Sequence, residues 1–252
     1  MATEHTSWLI DERRPISGGD LNQIQRSLPE DSETRAAGAT PTLAVRLRDL
    51  IVHDNKALFG SADLRLDALV VHGNGSAQEP QSYYAPRTQL FQDIRNGDPL
   101  LQSDSNLLVF LGPVRHFLDI SVLLSRDTGR TDKLAELLAN QVKSTEFQAA
   151  SASLLALAAI PQAAVIPAAV GAAGVIGDLA YKALRQVTGT TLGVYRQSFL
   201  QVRDRFGLTT ARGKIARHPA QGSYQVRGFS FAYEIVNETQ RSSNGGTSSA
   251  VS

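Results

Sequence analysis

The chain has 252 residues, and its 25 Lys+Arg against 24 Asp+Glu leave a formal charge of +1. That balance excludes general nucleic-acid binding, which needs clustered cations to neutralise phosphates. The sequence has no cysteine, which excludes disulfides, zinc-thiolate sites, iron–sulfur clusters and cysteine nucleophiles. Residues 1–40 are polar and poorly periodic, with room for a short helix over Asp20–Gln25 that Pro29 stops. Met1–Ser7 lacks a basic-then-apolar leader, so the expected location is cytoplasmic, or peripheral at a membrane.

The texture changes at Thr42. Leu43, Val45 and Leu47 alternate with Ala44, Arg46 and Arg48, which predicts a half-buried strand. Leu64–His72 repeats the pattern, with Leu64, Leu66, Ala68 and Val70 on one face, and Gly73-Asn74-Gly75-Ser76 ends it. Residues 76–90 are expected to be a long loop. Leu107–Leu111 and Phe117–Leu124 are two further apolar, β-prone runs. After Gly129 the period changes from 2 to 3.6. Leu134, Leu137, Leu138, Gln141, Val142 and Thr145 predict a helix capped by Thr131, and Ile176, Leu179, Ala180, Ala183, Leu184 and Val187 predict a second. Val194–Phe206 fits either strand or helix. Gly222–Val236 alternates again, with Phe229, Phe231, Tyr233 and Ile235 on one side. The last stretch, 237–252, is rich in Ser, Gly, Thr and Asn, the composition of a disordered tail.

Strands, then helices, then strands give an α+β expectation. An antiparallel β-sandwich over 41–236 carries an inserted helical hairpin at about 131–187, because the late strands need the early ones as partners.

Two turns place paired aspartates between apolar elements. Asp49-Leu50 leads to Asp54, followed by Gly60-Ser61-Ala62-Asp63-Leu64-Arg65-Leu66, and the second turn is Asp127-Thr128-Gly129-Arg130-Thr131-Asp132. These segments resemble the C-two domain family, the calcium- and phospholipid-binding β-sandwiches of the synaptotagmin type. The resemblance implies a C-two-like sandwich in which Asp54 and Asp63 of one loop, and Asp127 and Asp132 of another, bind calcium at a lipid surface. Leu64-Arg65 stand where the family has Pro-Tyr, and Ser125 stands where it has an aspartate. The competing reading is that these aspartates cap turns and the following helix.

Residues 147–177 contain no charged side chain, and 12 of them are alanine. Pro161 and Pro167 divide the run into arms of 14 and 10 residues, Phe147–Ile160 and Ala168–Gly177. Each arm is shorter than the ~20 apolar residues a helix needs to cross a bilayer. Two readings stand side by side. In the first, the run is a buried hairpin that inserts into membrane when triggered, as in a latent pore-forming effector. In the second, it is a structural core or the contact of a homo-oligomer or protein partner. The residues making either contact are Leu154, Leu157, Ile160, Val165, Ile166, Ala169, Ala173 and Gly177. Ala169, Ala173 and Gly177 fall at small-xxx-small spacing.

No Gly-x-Ser-x-Gly elbow accompanies the His72-Gly73 loop, no phosphate-binding loop occurs, and the five histidines lack metal-ligand spacing. The sequence therefore predicts a non-enzymatic, membrane-associating sandwich with calcium as its cofactor. The alternative is an oligomerising interaction module.

Overall fold

The computed structural model describes residues 40–74, 80–102, 105–115, 117–127, 134–141, 143–156, 174–184, 186, 190–200, 205–208 and 221–238. Where apolar residues alternate with polar ones, the chain is a strand with one face buried. Leu43, Val45 and Leu47 of β1 (Thr42–Val52) are fully buried, as are Leu64, Leu66, Ala68 and Val70 of β2 (Ala62–His72). Tyr84–Ile94 forms β3, Pro99–Leu101 β4, Leu107–Pro113 β5 and Phe117–Arg126 β6. Three helices follow: α1 (Leu134–Gln141), α2 (Thr145–Ala156) and α3 (174–184). Thr191–Leu200 forms β7, Gln221–Gln225 β8 and Phe229–Asn237 β9.

The strands make two antiparallel sheets. One has the order β4-β1-β9-β8, with β5 pairing the same edge of β1 as β4 but nearer its start. The other runs β3-β2-β6-β7. Between them lies one core containing Leu43, Leu66, Ile120, Val122, Phe199, Phe229, Phe231 and Tyr233. The expected β-sandwich is therefore present.

A second apolar cluster lies on the outer face of the β3-β2-β6-β7 sheet. Leu69, Val71, Phe117 and Leu123 of the sheet meet Leu138, Phe147, Ile176, Leu179 and Leu184 of the helices. The helices are a third layer, and β2 and β6 are buried on both faces, with Leu69 and Leu123 facing the helices and Ala68 and Val122 the core.

Several expectations need correction. Part of the loop expected over 76–90 is a short 3-10 turn (Pro80–Tyr83) leading into β3. β3 is an edge strand exposed over most of its length, so it has no apolar face to alternate, and its edge position tolerates Pro86. Gly222–Val236 is a hairpin of β8 and β9 rather than one strand. Val194–Phe206 resolves into β7 followed by a 3-10 turn at Arg205–Gly207. The first predicted helix is broken at Lys143-Ser144, where the Ser144 hydroxyl accepts from the Phe147 amide at 3.3 Å and caps α2. Over the expected hairpin, the described residues show three short helices, and 157–173 lie outside those residues. Among those residues no helix is long and apolar enough to cross a membrane. The polar segment 1–39, Thr131 and the tail from 239 lie outside the described residues.

Candidate functional site

One end of the sandwich gathers the β1–β2 loop, the β3–β4 turn, the end of β6 and the β8–β9 turn. The β1–β2 loop is anchored at its start by backbone bonds, with the His53 and Asp54 amides donating to the Gly228 carbonyl at 2.8 and 3.1 Å. Gly228 leaves room for this approach, since a Cβ there would stand 2.8 Å from the Leu192 carbonyl oxygen and 3.1 Å from that of Asp54. His53 Nε2 and Ser230 Oγ share a hydrogen bond of 2.8 Å.

Asn55 is the brace of this loop. It is buried, and its Nδ2 donates to the carbonyls of Gly60 (3.1 Å) and Ile94 (2.9 Å). Its Oδ1 accepts from the Ala57 amide at 2.9 Å, and its own amide donates to Asn96 Oδ1 at 2.8 Å. The Lys56 amide donates to Asp54 Oδ1 at 3.0 Å, and Arg126 Nη1 donates to the Lys56 carbonyl at 3.3 Å. Lys56 and Gly60 take left-handed φ values of 58° and 77°, which turn the chain sharply between them. The tip so formed carries Leu58 and Phe59, each 94% exposed. Two adjacent large apolar side chains held almost wholly in water are unusual on a fold whose other apolar residues are mostly covered.

The aspartates singled out in the sequence fall around this loop. The Asp127 amide donates to the Asp63 carbonyl at 2.8 Å, and the Asp93 amide donates to Asp63 Oδ1 at 3.1 Å. Asp54 Oδ2 is bonded to the Lys56 ammonium. Hydrogen bonds from Lys56 hold the Asp54 carboxyl below its ordinary pKa, and the charges of Lys56 and Arg227 act in the same direction. Asp132 lies outside the described residues. Among the described residues no group of three or more His, Asp or Glu side chains converges on a metal-sized site.

The outer face of the β3-β2-β6-β7 sheet carries a second polar arrangement, beneath the helices. Arg65 and Asp67 lie on the same face of β2, with Asp67 fully buried; Arg65 Nε lies 2.8 Å from Asp67 Oδ2, and Thr88 Oγ1 donates to Oδ1 at 2.6 Å. On β6 and β7, Asp119 accepts from Ser198 Oγ at 2.6 Å and from Arg196 Nε at 3.0 Å. Arg196 Nη1 then reaches Asp178 of α3 at 2.6 Å. Burial works against the Arg196 charge, but Asp119 and Asp178 outweigh it and raise the pKa of its guanidinium.

Of the predicted contact residues, Gly177 is buried directly over this pair. A Cβ there would stand 2.2 Å from Arg196 Nη2 and 3.1 Å from Asp119 Oδ2. Leu154 lies within α2. Leu157, Ile160, Val165, Ile166, Ala169 and Ala173 lie outside the described residues.

Sequence reasoning missed Leu58 and Phe59. Their signal was an apolar pair followed by glycine inside a polar, strand-free stretch. No motif marks Arg196, one of several cations between 196 and 218, as a member of buried ion pairs. Comparison of the chain with protein-family models, with curated proteins and with solved structures finds no match.

Proposed function

We propose that this chain is a non-enzymatic membrane-associating protein that meets the lipid surface with the β1–β2 end of its sandwich. The observation that carries the reading is the Leu58–Phe59 tip, 94% exposed at both residues on a loop braced on either side by hydrogen bonds to the Ala57 amide and the Gly60 carbonyl. A loop entering an apolar phase loses water from its peptide groups, and each unsatisfied group costs several kcal/mol there. In this loop Asn55 and Arg126 supply partners to the peptide groups around the tip. Arg126, which bonds the Lys56 carbonyl beside the apolar pair, supplies a cation suited to headgroup phosphates. The C-two-like assignment belongs to this reading, as does an inserted helical hairpin containing the charge-free run and released only at the membrane in a latent pore-former.

The test is co-sedimentation with phosphatidylcholine vesicles, with and without phosphatidylserine. Partial burial of two large apolar side chains contributes about 3 kcal/mol. The double substitution Leu58→Ser with Phe59→Ser is therefore expected to weaken partitioning on the order of 100-fold while leaving the melting temperature unchanged. Association is expected to persist in chelator, since Lys56 already neutralises Asp54. A strict calcium requirement would restore Asp54, Asp63, Asp127 and Asp132 as metal ligands. Absence of wild-type binding to either vesicle would reject the membrane reading.

A further inference from the structure

The edge strand β3 has one side open. It pairs with β2 along its length, from Val71 opposite Tyr84 to Ala62 opposite Ile94, and residues 86–90, 92 and 93 are exposed. In an antiparallel ladder the N–H and C=O of one residue point to the same side, and successive residues alternate. Pro86 has no N–H to give, so its place is among the residues that face away from β2. The Leu90 carbonyl accepts from the side chain of its neighbour, Gln89 Nε2 at 3.3 Å, which sets it on the same outward side. Thr88, Leu90 and Gln92 therefore offer amides and carbonyls along the open edge. Pro86 stops further pairing at one end. At the other end Asp93 takes a left-handed φ of 55° at an irregularity in the β2–β3 register. An edge closed at both ends admits one short partner strand rather than an open-ended stack.

The open stretch is complementary to itself. Leu90, at its middle, is apolar yet 49% exposed. Arg87 and Asp93 stand at equal distances along the chain on either side of it, both exposed, and neither has an ion pair among the described residues. Against a second copy running antiparallel, with Leu90 on the two-fold axis, the strand sets Leu90 opposite Leu90 and Thr88 opposite Gln92. Arg87 then meets Asp93 of the other copy, twice over. This register joins the outward-facing residues through about six backbone hydrogen bonds and gives each free charge an opposite one. A shift by one residue would set outward-facing groups against inward-facing ones, and a shift by two would part the charges. We propose that β3 is a homodimerisation strand, through which two copies join their four-stranded sheets edge to edge about Leu90. The contact is isologous and uses up the edge, so assembly closes at the dimer. Antiparallel pairing turns the Leu58–Phe59 loops, each tied to its own Ile94 carbonyl through Asn55, to opposite ends of the dimer. The proposal stands apart from the membrane reading, because the pairing is a property of the chain in water.

Light scattering across a concentration series of the full chain tests it. The wild type is expected to form a dimer at high concentration that returns to monomer on dilution. Leu90→Pro removes an outward amide, as Pro86 already does, and Arg87→Glu sets like charges against Asp93. Each is expected to weaken the dimer about 10-fold or more while the circular dichroism stays native. The chain has no cysteine, so single-cysteine variants report the register directly. Leu90→Cys brings two thiols together at a Cα separation of about 5.5 Å, within the span of a disulfide. With oxidised glutathione this variant is expected to give covalent dimer about 10-fold faster than Leu108→Cys on β5, a position 41% exposed in the wild type. Three results would overturn the proposal: a wild type that stays monomeric at every concentration, a dimer that Arg87→Glu leaves at full strength, or equal cross-linking at 90 and 108. Association through the charge-free run would give the second of these. Should Leu90→Pro fail to fold, Arg87→Glu and the cross-link still decide the matter.

Discussion

At the scale of single residues, burial has opposite consequences for neighbouring kinds of group. Asp119 and Asp67 are buried as members of ion pairs, so their cost is offset locally. His72, at the end of β2, packs its ring against Phe110 at 4.8 Å, and among the described residues its buried Nδ1 has no hydrogen-bond partner. Loss of hydration lowers its pKa to about 4. Above about pH 6.5 both folded and unfolded chains hold this histidine neutral, and it adds no pH dependence. As pH falls from about 6.5 toward 4, the unfolded chain takes up a proton that the folded chain refuses. Stability therefore declines across that window, by roughly 2 kcal/mol at pH 5. Replacing His72 by Phe is expected to flatten the decline. Between pH 7.5 and 5 the wild type should lose about 4–8 °C more in melting temperature than the variant. Equal losses would show that His72 is hydrated in the folded state.

At the scale of elements, legibility follows how each strand is buried. β1, β2, β6 and β9 were readable because each presents a continuous apolar face to the core, giving Leu43-Val45-Leu47 or Phe229-Phe231-Tyr233. β3 was not, since most of it faces water on both sides. The polar residues of β2 and β6 misled in a different way. Asp67 and Asp119 occupy positions that alternation assigns to solvent, and the helix that covers Asp119 is supplied by residues far along the chain. Local sequence carries no trace of a lid made elsewhere. The aspartate turns were found, but the apolar tip between two of them was not, because a Leu-Phe pair has no periodicity. The loop's dependence on Asn55 can be tested directly. Asn55→Ala removes donors to the Gly60 and Ile94 carbonyls and the acceptor for the Ala57 amide, at a cost of about 3 kcal/mol. Chemical denaturation should register that loss, and vesicle partitioning should fall although Leu58 and Phe59 are intact. Unchanged partitioning would mean that the tip works without its brace.

At the scale of the whole molecule, the sandwich depends on pairing between distant parts of the chain. β1 lies between β9 on one side and β4 and β5 on the other, with Leu43 opposite Asn237 and Val45 opposite Ile235. Across the outer face of the same pair, Arg46 and Arg48 meet Glu234 at 3.9 and 3.2 Å. Such half-buried surface pairs contribute modest energy but help fix register. A fold of this kind pays its loop-closure entropy before it gains its contacts, so slow folding is expected relative to a helical domain of equal size.

The position of β9 has a consequence for biosynthesis. It is the inner strand that joins β8 to β1, yet among the described strands it comes last in the chain and is made after all the others. Until it arrives, β1 has one bare edge and the core lacks Phe229, Phe231, Tyr233 and Ile235. A nascent chain in that condition offers a long, apolar-faced edge to any neighbour. Chains ending at residue 228 are therefore expected to accumulate as aggregates or chaperone complexes. Supplying 229–238 as a separate peptide during refolding should recover monomer, as measured by size-exclusion chromatography. A monomeric 228-residue product with native circular dichroism would show that β1 closes its edge by some other pairing.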